Sequence, residues 1–292
     1  MIKEVASLRY GVIFKKAFGE LDIFTAFVKD VVSSAVNLAL NLQIERVETE
    51  KTFTPVIGRV ATRFDLFAQD KKNRVIVDIQ HARNPDHYDR FLHYHCTAIL
   101  EQVVNSYDYQ PPLLVYTVVV LTGGDKHKKD VLITDFRPRD LEGKPVGETE
   151  DKIIYLNPKC VTDKTPEPLR EWMVAIADSL DEKVNENDYQ RDEIRRVFEL
   201  IEKDTISPEE RAKMIEEYHQ EQGKRTAFSE GLEEGVKKGL EEGEKKGLSK
   251  GIKEGEQRKA ESIARKMLSL GMDVAQIATA TGLSLEEIEA LA

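Results

Sequence analysis

Residues 63–80, reading RFDLFAQDKKNRVIVDIQ, constrain the fold more than any other stretch of the chain. Two runs with apolar alternation flank the polar segment Asp70-Lys71-Lys72-Asn73, which predicts two strands joined by a tight turn. Successive side chains of a strand point to opposite faces. One face is then Phe64, Leu66, Ala68, Val75, Val77 and Ile79, all apolar. The other carries Arg63, Asp65, Phe67, Gln69, Arg74, Ile76, Asp78 and Gln80. A hairpin symmetric about the Lys71–Lys72 bond sets Asp65 opposite Asp78 and Arg63 opposite Gln80. Like charges so placed, with Cβ atoms roughly 5 Å apart, destabilise a hairpin. A divalent cation between the carboxylates removes the conflict, because hard cations such as Mg²⁺ take carboxylate oxygens. A one-residue shift or an odd-length turn removes it too, leaving two ordinary surface acids.

The segments around the hairpin read as alternating helices and strands. Residues 14–18 predict a short helix and residues 21–40 a longer one. Its apolar residues Ile23, Phe24, Phe27, Val28, Val31, Val32, Ala35 and Val36 recur at three-and-four spacing. Residues 42–47 read as a first strand, and Pro55 and Gly58 punctuate the approach to the hairpin. Asn84 and Pro85 offer a helix start, with the helix running to about Val104. A buried strand follows at 113–121, then shorter strands at 131–136 and 152–156. The order is helix, three strands, helix, strand. Helices are expected at 167–180, 186–202 and 207–222, the last opened by Ser207-Pro208-Glu209-Glu210. Trp172, among Met173, Val174 and Ile176, reads as core.

Composition narrows the class of protein. At 292 residues the chain accommodates a core of about 150–200 residues plus an appendage. A net charge of −10 excludes a generally basic nucleic-acid coat, although a local basic surface can still meet DNA. Cys96 and Cys160 lack metal-ligand spacing, and no signal peptide precedes them, so a reducing cytoplasm is expected. The longest apolar run, 113–121, is too short to span a bilayer, so no membrane association is expected.

Near the C-terminus glycine recurs every four residues, at Gly231, Gly235, Gly239, Gly243, Gly247, Gly251 and Gly255. Glu233/Lys237, Glu234/Lys238, Glu241/Lys245 and Glu242/Lys246 supply Glu-first pairs of about 0.3 kcal/mol each. Each glycine costs about 1 kcal/mol against alanine in a helix. An isolated helix should therefore be marginal. A period of four also overshoots 3.6, so the glycine row winds around the helix. The segment is either a semi-flexible helical spacer or a helix stabilised by packing against another chain. Beyond it, residues 260–270, 273–280 and 285–291 form small helices around Thr281-Gly282-Leu283-Ser284, resembling a helix-turn-helix. The last helix offers Glu286, Glu287 and Glu289 and no base-reading cation, which favours protein association over DNA reading.

The hairpin resembles the metal-binding hairpin of the PD-(D/E)XK nuclease superfamily, and within it the Rpn family of recombination-promoting nucleases and transposases. That branch carries an acid on one strand and acid-x-Gln on the next, here Asp65, Asp78 and Gln80. FKKAFG at residues 14–19, Arg90 followed by Tyr94, and the Gly-rich charged tail match as well. The resemblance implies an α/β PD-(D/E)XK restriction-endonuclease-like core, α-β-β-β-α-β, over about residues 1–165. A helical region to 222, a Gly-every-four charged spacer over 223–259 and a small helical hairpin over 260–292 would follow.

The resemblance also implies a Mg²⁺-dependent DNA endonuclease, with Mn²⁺ as a possible substitute. Metal would polarise the scissile phosphate and acidify an attacking water. Asp65, Asp78 and the Ile79 carbonyl would be its ligands. Gln80 replaces the usual Lys and can orient a water but carries no charge. Arg90, Tyr94, Arg63 and Lys15 would face the substrate, with Lys16, Arg74, His81 and Arg83 extending a basic rim. His87 and Glu101 fall on the same helical stripe as Arg90 and Tyr94. Four of six histidines lie between His81 and His95, without the spacing of a metal site. In one place the chain departs from the family: the acid usual three residues before Phe14 is Gly11, and the candidate substitutes Glu20 and Asp22 do not stand at the matching place. Two other functions stay open, a catalytically silent DNA-binding remnant and a scaffold that self-associates through its tail.

Overall fold

The computed structural model describes residues 2–36, 41–53, 61–81, 87–103, 110–147 and 149–291. The readings at Leu40, Pro55, Gly58, Arg83, Asn84, Pro85 and Val104 lie outside them. The chain divides into two compact units, Met1–Glu221 and Gln222–Ala292.

The first unit opens with β1 (Ile2–Glu4), α1 (Gly11–Phe18) and α2 (Leu21–Val36), followed by β2 (Val47–Phe53), β3 (Thr62–Gln69) and β4 (Asn73–Gln80). Then come α3 (His87–Leu100), β5 (Leu114–Leu121), β6 (Val131–Asp135), β7 (Lys152–Leu156), α4 (Leu169–Ser179), β8 (Lys183–Asn185) and α5 (Asp192–Leu200). A six-stranded mixed sheet has the order β2-β3-β4-β5-β7-β6, with β4, β5 and β7 mutually parallel. The short strands β1 and β8 pair separately. The first strand begins at Val47, five residues later than its pattern suggested, because the pairing with β3 runs from Val47 against Ala68 to Phe53 against Thr62.

Each face of the sheet is covered. On one side α1, α2, α4 and α5 bury Ile13, Phe14, Phe27, Trp172 and Phe198 against Leu66, Val75, Val77 and Val118. Six of the α2 residues that recur at helical spacing, Ile23 through Val32, are fully buried. Trp172 is core as expected, its indole N–H donating to Asp30 at 2.8 Å. On the other side α3 packs Phe91 and Ala98 over two smaller clusters. Strand β5 is buried along nearly its whole length, as a strand covered on both faces must be.

The hairpin turn is built as its residues dictate. The Asp70 carboxylate accepts the amides of Lys72 and Asn73, both at 2.7 Å, and that of Gln43 at 3.0 Å. Asp70 N–H bonds the Asn73 carbonyl at 2.9 Å. An aspartate that satisfies amides two and three residues on is the local signal for a tight turn. The turn fixes the register, Leu66 against Val77 and Gln69 against Arg74.

Phe64 departs from simple alternation. It leaves the face of Leu66 and Ala68 and packs with Phe53, Phe67 and Tyr94, its ring 5.6 Å from that of Tyr94. The β3–β4 pairing runs from Gln69–Arg74 to Leu66–Val77, and beyond it the strand changes face.

Helix α6 runs without a break from Pro208 to Ser269, its first turns belonging to the first unit. Around the seven repeat glycines no described residue lies within 4 Å of where a Cβ would stand, so packing among the described residues does not account for them. Glu234–Lys238 and Glu242–Lys246 close at 2.6 and 3.3 Å. Helices α7 (Val274–Thr281) and α8 (Leu285–Glu289) complete the second unit, capped by Asp273 and by a capping box at Ser284 and Glu287. Ile277, Leu283 and Ile288 close its small core on Ala264. Among the described residues no helix is long and apolar enough to cross a membrane.

Because the turn sets the register, Asp70→Ala should lower the unfolding free energy by about 1–2 kcal/mol, the cost of stranding several amides. Urea denaturation followed by circular dichroism measures it. A change below a few tenths would mean that strand pairing alone fixes the turn.

Candidate metal centre

The paired register ends at Leu66–Val77, one step short of Asp65 and Asp78, and the two aspartates meet there through their side chains. The two strands exchange unusual bonds there. The Asp65 amide donates to Asp78 Oδ1 at 3.2 Å, and the Ile79 amide donates to Asp65 Oδ2 at 3.1 Å. Each carboxylate thus takes an N–H of the facing strand. The pairing of β2 with β3 skips the pair at Asp65, where the opposed residue is Glu50 in left-handed backbone at φ 57°. A non-glycine residue there costs on the order of 1 kcal/mol or more, and such strain gathers at functional sites.

Asp78 is nearly fully buried, and its Oδ2 has no hydrogen-bond partner among the described residues. Burial pushes its carboxyl well up from the ordinary range, and the charge of Asp65 pushes it further. Asp65 is raised as well, mainly by burial, against the pull of the Ile79 amide and of Lys15, Arg63 and Arg90. Two acids pressed together with a buried, unpartnered oxygen fit a hard divalent cation, which takes oxygen ligands. Asp65 and Asp78 are the side chains that would hold it. Among the described residues no three His, Cys, Asp or Glu side chains converge closely enough to do so together.

Cations stand around the pair. Lys15, from α1, places Nζ 2.6 Å from Glu50 Oε1 and 4.0 Å from Asp65 Oδ1. Arg90, from α3, donates to the Gln80 side-chain oxygen and stacks over Phe91 and Tyr94. Tyr94 is half-buried between Phe64 and Phe91, and burial raises its hydroxyl. It is both a packing aromatic and part of the rim. Arg63 is exposed and acts on the acids through its charge.

Residues 11–229 match the family described as PD-(D/E)XK nuclease family transposase. The chain belongs to this family. Residues 257–292 match the C-terminal HTH domain of the Rpn/YhgA-like nuclease family, and the two matches together support an Rpn-family assignment. The mixed sheet and its flanking helices are consistent with a PD-(D/E)XK fold. No curated protein and no solved structure matches the chain.

Within this PD-(D/E)XK chain, several residues of the expected site lie elsewhere. Glu20 and Asp22 both turn to Arg196 of α5, at 3.6 and 2.7 Å, and not to the hairpin. Arg74 is buried and braces α3 through the Ala98 carbonyl and Glu101, so it forms no part of a basic rim. Lys16 is held by Glu210 and the Thr205 carbonyl. The histidines disperse. His87 meets Asp125 at 3.2 Å, and His81 lies between Thr122 and Glu221. His95 is buried against Thr117, where the imidazole pKa falls to about 4. Two acids near the site, Glu50 and Glu217, escape sequence reading. Glu50 was visible only through the register of the strand before the hairpin, and Glu217 had no local signal.

Raised carboxyls mean that the folded state favours their protonated form, so stability falls as pH climbs out of the carboxylate range. Asp78→Asn, which removes that penalty, should melt above wild type at pH 7 in EDTA. The gain should vanish by about pH 4, where the aspartates of the unfolded chain are themselves protonated. Thermal unfolding across this range checks it; a gain that persists at low pH would contradict an origin in buried charge.

Proposed function

We propose that this chain is a Mg²⁺-dependent DNA endonuclease, with Mn²⁺ able to substitute, acting in DNA recombination within the cytoplasm. Membership of the PD-(D/E)XK nuclease family transposases supports a nuclease. The observation that carries the reading is the Asp65–Asp78 pair, with Asp78 buried and its Oδ2 unpartnered among the described residues, flanked by Arg90, Lys15 and Gln80. Bound there, a divalent cation would supply the Lewis acidity that phosphodiester hydrolysis needs.

The chain's own residues would do the remaining work. Asp65 and Asp78 would hold the ion, with the Ile79 carbonyl a third oxygen on the strand of Asp78. Arg90 fixes the Gln80 side chain through its oxygen, so the amide is positioned to orient a water. Arg63 and Arg90 present charge to a phosphate, and Lys15 offsets the acids from below. The free thiols of Cys96 and Cys160 suit a reducing compartment.

The HTH domain suggests DNA binding. Helix α8 itself carries Glu286, Glu287 and Glu289, which suits protein association better than groove reading. The tail supports self-association. Phe228, Leu232, Val236, Leu240, Leu248 and Ile252 are exposed at four-residue multiples, each following or in step with the glycine row. A second copy would cover them.

Plasmid nicking by purified protein with Mg²⁺, Mn²⁺ or EDTA tests the activity. Metal-dependent cleavage is expected, falling by roughly 100-fold or more in Asp65→Ala and in Asp78→Ala. A folded protein that binds DNA but never cuts would be a silent remnant of the fold. For the tail, sedimentation velocity over a range of concentrations should show dimers or larger species that Leu232→Glu/Leu240→Glu converts to monomers. A monomer at every concentration would remove self-association.

A further inference from the structure

Helix α1 begins without a cap of its own. Tyr10 stands at the N-cap in extended backbone, and its side chain makes no capping bond. The first amides are satisfied instead from 206 residues away. Glu217, in the first turns of α6, accepts the N–H of Gly11 at 2.7 Å and of Val12 at 3.1 Å. Glu217 lies against Gly11 at ordinary contact distance. A Cβ added there would stand 3.6 and 3.8 Å from the two carboxylate oxygens of Glu217. The acid therefore sits where a side chain of residue 11 would extend.

This acid shares the field of the hairpin. Burial raises the Glu217 carboxyl, Lys15 draws it down, and the charge of Asp65 raises it again. One turn further along α6, Glu221 meets His81, the residue after Gln80. The start of α6 thus touches the site at both α1 and the end of β4.

Charge balance gives the contact its meaning. Lys15, Arg63 and Arg90 all act on Asp65, so three cations face two carboxylates. A divalent cation approaching that set alone meets net repulsion. Glu50, bonded to Lys15, returns one negative charge. Glu217 returns another and, through the α1 N-terminus, holds the helix that carries Lys15 one turn on. Since among the described residues no three acids converge, it stands beside the residues that would hold the ion and not among them.

We propose that Glu217 is a positioning residue of the metal centre: from α6 it supplies the negative charge that α1, with Gly11, does not provide. This rests on the metal-dependent nuclease reading above.

The test uses full-length protein, with Mn²⁺ as the probe. Calorimetric titration would compare wild type, Glu217→Gln, and Glu217→Gln combined with Gly11→Glu, with melting temperatures and plasmid nicking measured beside it. Glu217→Gln keeps an acceptor for the α1 amides but removes the charge. It should weaken Mn²⁺ binding about tenfold, the scale of an outer-shell partner, with a melting temperature close to wild type. Gly11→Glu, which returns the acid on α1, should restore most of that affinity. Wild-type Mn²⁺ affinity in Glu217→Gln overturns the inference while leaving the nuclease reading intact. So does a loss that follows a lowered melting temperature and that Gly11→Glu does not restore, because Glu217 would then be a helix cap alone. A wild-type protein that neither binds Mn²⁺ nor cuts DNA overturns the nuclease reading, and this inference with it.

Discussion

Two aspartates face each other across β3 and β4, each taking an amide from the other's strand. Burying two like charges is unfavourable, and the surrounding structure is arranged to hold them there nonetheless. The Asp70 turn sets the register that brings them together. Glu50 leaves regular strand geometry beside Asp65 and pairs with Lys15. Lys15 and Arg90, from helices on opposite faces of the sheet, bring positive charge to the pair without neutralising it by a close bidentate bridge. The pair remains raised in pKa, with one oxygen unpartnered among the described residues. Such a pair carries an unfavourable charge that a bound cation would relieve, and perturbed acids of this kind gather at functional sites.

The layers around the sheet explain how the site stays rigid. The helices α1, α2, α4 and α5 form one apolar mass with the inward residues of β3, β4 and β5. On the far face Phe53, Phe64, Phe67 and Tyr94 pack edge to face, so the rim tyrosine is anchored in a cluster and not left on a loop. Phe64 reaches this cluster because the strand changes face next to Asp65. The same local irregularity that frees the carboxylates therefore also recruits an aromatic to support Arg90 and Tyr94.

The C-terminal part of the chain contributes in two separate ways. The first turns of α6 belong to the first unit, and their acids reach α1 and His81. The middle of the helix carries glycines with no described residue packed at the Cβ position, and aliphatic residues that are exposed. Roughly 1 kcal/mol per glycine is a steep cost for a helix that stands alone. That cost is the physical reason to look for a second copy along it.

Much of this was legible from the sequence. Alternation, an Asp-Lys-Lys-Asn turn and the three-and-four spacing of Ile23 through Val32 are local patterns, and each predicts an element by its own periodicity. They determined the hairpin, the opposition of Asp65 and Asp78, the buried β5 and the core role of Trp172. Periodicity could not say where a strand changes face, so Phe64 was assigned to the wrong side. Nor could it show that Arg74 turns inward to α3, or that Glu20 and Asp22 spend their charge on Arg196. Glu50 and Glu217 lay beyond its reach for the same reason. A carboxylate 206 residues from the helix it caps carries no local mark, and the charge balance of a site is a sum over groups that only tertiary packing brings together. The sequence determined which acids oppose each other; the tertiary structure decided which other charges surround them, because that field depends on distance in space and not along the chain.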